Sequence, residues 1–255
     1  MTNSGTLTDQ DPKYGKDTKA GRIDMADSQL ARTLEVELMD TADEAAGYDS
    51  MDHSLVNARF VADFLAEHGT SKGGWVADIG TGTALIPMIL AIADRRIRIK
   101  AVDGASHMLA VGSRHVAAAG LQNRIVMDLQ DAKKMNFDDS SFEAVISNSI
   151  IHHIPNPESV FHEMVRILEP GGTLFVRDLA RPIDGLRLSE IVEQYAADAP
   201  PIAKKMFEES LHAALTVREV AEMVSPLGIP GSCVAMTSDR HWTLVWQRPV
   251  LKYNR

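Results

Sequence analysis

The chain has 255 residues and a formal net charge of −9. It is long enough for one sizeable core, and it lacks the clustered basic field that a nucleic-acid or anionic-membrane surface needs. Cys233 is the single cysteine, which excludes an internal disulfide framework and a thiolate zinc cluster.

Residues 1–26 mix Gly, Thr, Lys and Asp without periodicity and read as a flexible tail. They have no apolar signal core, and no apolar run in the chain approaches transmembrane length, so a cytoplasmic protein with no membrane partner is expected. Residues 27–72 read as a helical leader and active-site lid: Leu30, Leu34 and Leu38 recur at four-residue spacing, and Val56, Phe60, Val61, Phe64 and Leu65 form an apolar stripe. From Gly73 the period alternates. Strands are expected at 75–79, 97–102, 124–128, 142–147 and 173–178, with helices at 85–93, 106–119 and 157–168 between them. Pro87 fits an opening helical turn, Asn156 and Pro157 read as cap and first residue, and Glu169 to Gly172 ("EPGG") reads as a helix stop.

After Arg181 the pattern changes. Residues 183–214 read as a helical insertion with helices at 186–199 and 203–214, broken by Pro200 and Pro201. Thr216 and Glu219 form a capping box for a helix over 217–227, which Gly228 stops. Strands at 233–237 and 241–247 then follow, joined by a tight turn that favours antiparallel pairing. The whole is an α/β fold: an open, mostly parallel seven-stranded sheet with an antiparallel last strand, an N-terminal helical cover, and an insertion before the last strands. The sheet domain spans 73–255.

The join "DIGTGTA", Asp78 to Ala84, places a glycine turn at the carboxyl edge of the first strand, where backbone can approach a ligand closely. Asp103 closes the second strand, where its carboxylate can accept from a ribose diol, and Asp131 follows the third, within reach of an adenine amino group. Each has a plainer reading: Gly80 and Gly82 as turn formers, Asp103 as a cap for the helix near Ser106, and Asp131 as a solvated loop residue. Together they converge on something shaped like a nucleoside.

The succession "DIGTGTA", "VDGASHML", "QDA" and "LEPGG" resembles the class I S-adenosylmethionine-dependent methyltransferases of small-molecule type, best over residues 49–177. The resemblance implies their Rossmann-like sheet and S-adenosyl-L-methionine as cofactor. It implies that Asp78, Gly80 and Gly82 form the loop beside the methionine part, and that Asp103, with Gly104 and Met108, holds the ribose. Asp131 and Ala132 would then flank the adenine, and Asn148 and Ser149 would line the cofactor at the end of the fourth strand. Ala84 stands where many relatives carry a third glycine, a departure that concerns helix packing. A dinucleotide dehydrogenase is disfavoured because Leu85 occupies the place of the last glycine of G-x-G-x-x-G.

For an acceptor, His152 and His153 are candidate proton acceptors or loop-shaping residues. Two adjacent histidines do not make a metal site without a third partner, and no metal is expected. Arg177, Arg181 and Arg240 are candidate holders of an anionic small molecule, or else members of an ion-pair network with Asp178 and Asp239. His212 and His241 are further substrate candidates. Tyr48 is a candidate lid and catalytic residue, or else a ring packed on the core. The expected reaction is direct methyl transfer to a small molecule at O, N, S or C. A nonenzymatic cofactor-binding regulator and a nucleic-acid methyltransferase are the alternatives, and both monomer and homodimer remain open.

Overall fold

The computed structural model describes residues 30–38 and 40–250; the expected tail at 1–26 lies outside them. Helices α1 (Ala42–Asp49) and α2 (Ser54–His68) precede the sheet. Strand β1 (Trp75–Ile79), helix α3 (Leu85–Ala93), β2 (Arg98–Asp103), α4 (Ser106–Ala118), β3 (Ile125–Leu129) and β4 (Phe142–Asn148) follow. Then come α5 (Glu158–Ile167), β5 (Leu168–Leu179), α6 (Gly185–Ala196), α7 (Pro201–Ala213), α8 (Val217–Val224), β6 (Val234–Met236) and β7 (His241–Gln247). The sheet order is β3-β2-β1-β4-β5-β7-β6. Pairing from β3 to β5 is parallel, and β7 runs antiparallel to both β5 and β6.

Both faces of the sheet are covered, which is why the central strands read as continuous apolar runs rather than alternating ones. One face packs Phe161, Met164, Trp242 and Leu244 under α5 and α8. The other packs Phe60, Phe64, Leu90, Ile99 and Phe175 under α2 and α3, with the Phe60 and Phe175 rings edge to face at 5.1 Å. Helix α5 shows how the spacing works: Val160, Phe161, Met164 and Ile167 lie on one stripe and are fully buried, each contributing roughly 1.5–3 kcal/mol. The expected capping box is present, with the Glu219 amide donating to Thr216 Oγ1 and the Thr216 amide to Glu219 Oε2.

Three expectations change. Residues 30–38 and Asp40 are not helical: they form an irregular strap across the carboxyl edge of the sheet. Leu34 and Leu38 are half exposed, so their four-residue spacing reports no buried helical face. Polar anchors fix this path instead, and helix begins only where Thr41 and Glu44 make a capping box. Second, "EPGG" does not end α5, which stops at Ile167. Strand pairing has already begun at Leu168, and the register jumps from Phe142 opposite Leu168 to Ala144 opposite Thr173. The four residues are a bulge: Gly171 takes φ +83°, and a Cβ on Gly172 would come within 2.9 Å of the Glu143 carbonyl oxygen. Third, Pro157 rather than Asn156 occupies the cap position of α5.

Candidate active site

The carboxyl ends of β1, β2, β3 and β4 open onto one cavity of about 370 Å³. Gly80, Gly82, Asp103, Gly104, Met108, Asp131, Ala132, Asn148, Ser149, Tyr48 and His153 all line it. The sequence therefore points to one wall after another of a single site, as expected where the strand order of a doubly wound sheet reverses.

The glycine turn is held from below. The amides of Gly80 and Thr81 donate to the Val102 carbonyl at 2.8 and 2.9 Å, and Thr81 Oγ1 donates to Asp78 at 2.7 Å. Asp78 is buried and does not line the cavity; burial pushes its carboxyl up to about 7. It shapes the loop from beneath. Gly82, at φ +56°, has only Tyr48 Cε1, at 3.7 Å, near the place a Cβ would take. At Gly80 a Cβ would fall 2.0 Å from Ile150 Cγ2. Ala84, at the third-glycine position, is fully buried in the left-handed region at φ 64° and starts α3. Its Cβ lies 3.1 Å from where Gly112 would carry one, so the departure does concern helix packing.

Asp103 closes β2 with its two carboxylate oxygens taking amide hydrogen bonds from Gly82 and Ala105, each 2.8 Å long. The carboxylate keeps lone pairs beyond those two. Burial pushes this carboxyl up, against the pull of the amides. Asp131 sits at the rim, accepts from the Lys133 amide, and faces the Lys133 ammonium at 3.4 Å. Ser149 takes φ +58° at the end of β4, a strained conformation for a residue with a side chain. Tyr48 stacks on His53 with ring centroids 4.7 Å apart. Burial, then Asp103 and Asp78, raise its phenol, which makes it a hydrogen-bond donor and wall rather than a base.

The strap supplies what the sequence reading missed. Glu37 and Leu38 line the cavity, and Glu37 pairs with Lys133. Asp40 accepts from the His107 amide at 2.9 Å at the start of α4. Arg32 donates to the carbonyls of Ala213, Pro155, His152 and Ile154. No local signal could have revealed these contacts, because every partner is distant in sequence. Gln130, Ile150 and Ile154 complete the mostly apolar lining.

The two histidines separate. His152 is buried, with Nδ1 2.5 Å from Asp178 Oδ1 and its amide on Asp178 Oδ2. Burial drives the imidazole down, and Asp178 and then Glu35 outweigh it and hold the ring above its ordinary value. His153 reaches the cavity wall. Glu35, from the strap, stands beside both rings and supplies the third partner absent from local sequence.

The arginines lie outside the cavity lining in ion pairs, but of the two expected acids only Asp239 meets one of them, Arg240, because Asp178 is taken by His152. Arg177 bonds Thr243 and Asp63 at 2.9 and 2.8 Å over the Phe60 and Phe175 rings. Arg181 is buried and bonds the Ala214 carbonyl and Glu219. Arg240 lies 3.4 Å above the Tyr195 ring and 3.5 Å from Asp239. Their charges are satisfied by neighbours outside the cavity lining. His241 bonds Ser238, and burial together with Arg240 pushes its imidazole down to about 4. His212 lines a separate groove with Thr33, Glu35 and Glu209.

Sheet order, glycine turn and acid-closed second strand together define the class I methyltransferase fold. Residues 77–176 match the family described as "Methyltransferase domain". A phosphatidylethanolamine N-methyltransferase of Cereibacter sphaeroides is 28% identical over 54% of this chain and 59% of its own length. A ubiquinone/menaquinone biosynthesis C-methyltransferase of Ectopseudomonas mendocina is 27% identical over 81% of this chain and 79% of its own. The solved structure of a SAM-dependent methyltransferase from Aquifex aeolicus superposes with a TM-score of 0.58 at 17% identity, covering 80% of this chain and 97% of that one. Residues 77–176 of this chain thus match a methyltransferase domain, and the fold around them is that of the class I S-adenosylmethionine-dependent methyltransferases. S-adenosyl-L-methionine is its cofactor, and the lining fits it: at Gly82 the open space where a Cβ would stand faces the cavity, beside an acid that retains free lone pairs. Among the described residues no helix is long and apolar enough to cross a membrane.

Proposed function

We propose that this protein transfers a methyl group from S-adenosylmethionine directly to a small-molecule acceptor with an apolar body, releasing S-adenosylhomocysteine. The carrying observation is the single cavity that joins the glycine turn and Asp103 to an apolar wall made by Leu38, Ile150 and Ile154. When bound, the cofactor supplies an activated sulfonium methyl. Gly80, Gly82 and Asn148 receive its amino-acid end, Asp103, Gly104 and Met108 its ribose, and Asp131 and Ala132 its base. The chain's task is then to align an acceptor and exclude water.

The acceptor end is the wall formed by His153, Ile154 and the strap. With Arg177, Arg181 and Arg240 paired outside the lining, the only cation lining the cavity among the described residues is Lys133, and Glu37 partners it. A neutral acceptor fits that wall better than an anionic one. Two relatives are named for phosphatidylethanolamine and for ubiquinone/menaquinone biosynthesis, molecules with long apolar parts, which supports an acceptor with an apolar body. A regulatory protein that only binds the cofactor is the second reading, favoured by the absence of an unmistakable base at the acceptor wall among the described residues.

The test is mass-spectrometric detection of S-adenosylhomocysteine from purified protein, S-adenosylmethionine and pools of phenols, quinols, amines, thiols and carboxylates. Product that depends on an apolar pool supports the proposal. Product from carboxylates alone, or cofactor uptake with no product from any pool, counts against it.

A further inference from the structure

We propose that Glu35, His152 and His153 form a site for one divalent transition-metal ion of the zinc or cobalt type. The ligands come from two segments far apart in sequence that meet at one edge of the sheet. Glu35 belongs to the strap, and the histidines form one tight turn, Ile151–His153, after β4. One carboxylate oxygen and one nitrogen from each ring lie within 4.8 Å of one another. Glu35 Oε1 is 3.1 Å from His153 Nδ1 and 3.5 Å from His152 Nε2. Atoms bound at about 2.0–2.1 Å to a common ion sit roughly 2.8–3.4 Å apart in octahedral or tetrahedral geometry. The two separations from Glu35 are close to that range.

Two further features point to an ion rather than to a simple carboxylate–imidazole pair. Glu35 Oε1 and His153 Nδ1 are both sealed from solvent, and neither has a hydrogen-bond partner. Their 3.1 Å approach does not meet hydrogen-bond geometry, which leaves two buried polar atoms unsatisfied, a costly state unless something else occupies the gap. His152 is also prepared as a ligand. Its Nδ1 lies against Asp178 at 2.5 Å, which turns Nε2 toward Glu35. This is the carboxylate–histidine arrangement that orients metal-bound imidazoles and strengthens them as donors.

Two imidazoles and one carboxylate suit zinc, cobalt or nickel better than magnesium or calcium, which prefer all-oxygen sets. Three protein ligands leave at least one position for water or another small oxygen donor. Because His153 also lines the cavity, an ion here would border the acceptor wall and tie the strap to the sheet edge. The binding claim does not depend on the methyl-transfer reading, so the two can fail separately.

The test uses the full chain, free of any affinity tag and stripped with a chelator, titrated with Co²⁺ alone. Expected are visible ligand-field bands that saturate at one equivalent, a raised Tm, and one ion retained through gel filtration. Glu35→Gln and His153→Ala should each weaken Co²⁺ binding at least tenfold, while His162→Ala, at an exposed position on α5, should leave it unchanged. Absence of bands and of retained ion in the wild-type chain would overturn the proposal. Full binding in both ligand variants would do so as well.

Discussion

At residue scale the site turns on where a side chain is missing and where a charge is buried. A methyl group at Gly82 meets only Tyr48, so Gly82→Ala should fold, at a cost of roughly 1–2 kcal/mol for holding alanine in the left-handed region. Its methyl would occupy cofactor space, and calorimetric titration should show S-adenosylhomocysteine affinity lowered about tenfold or more, equal to ~1.4 kcal/mol. Gly80→Ala should instead lose much of its stability, because the new methyl overlaps Ile150. Equal stability in the two variants would refute that distinction. Asp78 gives a pH signature. Its folded value, about 7, lies above the value of an exposed carboxyl, so between about pH 4 and pH 7 the folded chain binds the extra proton. Stability from this group is complete below pH 4 and falls as pH rises through 7, by at most about 1.4 kcal/mol per pH unit. Denaturant unfolding of ligand-free Asp78→Asn should lack that slope; a slope identical to wild type would place the buried charge elsewhere.

At the scale of elements, the strap is the part most exposed to a single change. Arg32 holds four carbonyls from two separate segments, α7 and the turn after β4, with charge-assisted bonds that typically contribute more than neutral ones. Arg32→Ala should free residues 30–38 while leaving the sheet intact. The expected result is faster proteolysis and hydrogen exchange within the strap, weaker S-adenosylhomocysteine binding, and a Tm lowered by only a few degrees. Unchanged exchange in the strap would mean that Asp40 and Glu37 suffice to hold it. The elements beyond the strap are legible in the sequence to different degrees. Helix α3 and strand β7 fall where periodicity puts them, and the α8 capping box forms as its spacing predicts, because those signals lie within one turn or one alternation. "EPGG" misleads because glycine and proline mark both helix stops and bulges; only the pairing of β5 with β4 shows that this one is a bulge.

Taken as a whole, the molecule concentrates its ligand chemistry on one edge of the sheet. The cavity wall proposed for the cofactor is legible in the sequence, since each of its residues follows a strand and a parallel sheet brings all strand ends to the same side. Asp78 alone of the cofactor set falls beneath that wall. The acceptor wall is not legible in the same way. Arg177, Arg181 and Arg240 are near strand ends in sequence, yet each finds an acid, a carbonyl or a ring in a neighbouring element and is turned away from the cavity lining. His152 and His153 are adjacent in sequence, yet one is buried against Asp178 and the other faces the cavity. Sequence by itself determined the strand and helix order, the glycine turn and the acids that close β2 and follow β3, because short-range periodicity and turn chemistry encode them. Tertiary structure alone decided the path of the strap, the pairing of the arginines and the meeting of Glu35 with the two histidines. Those depend on contacts between segments far apart in the chain, for which the local pattern carries no signal.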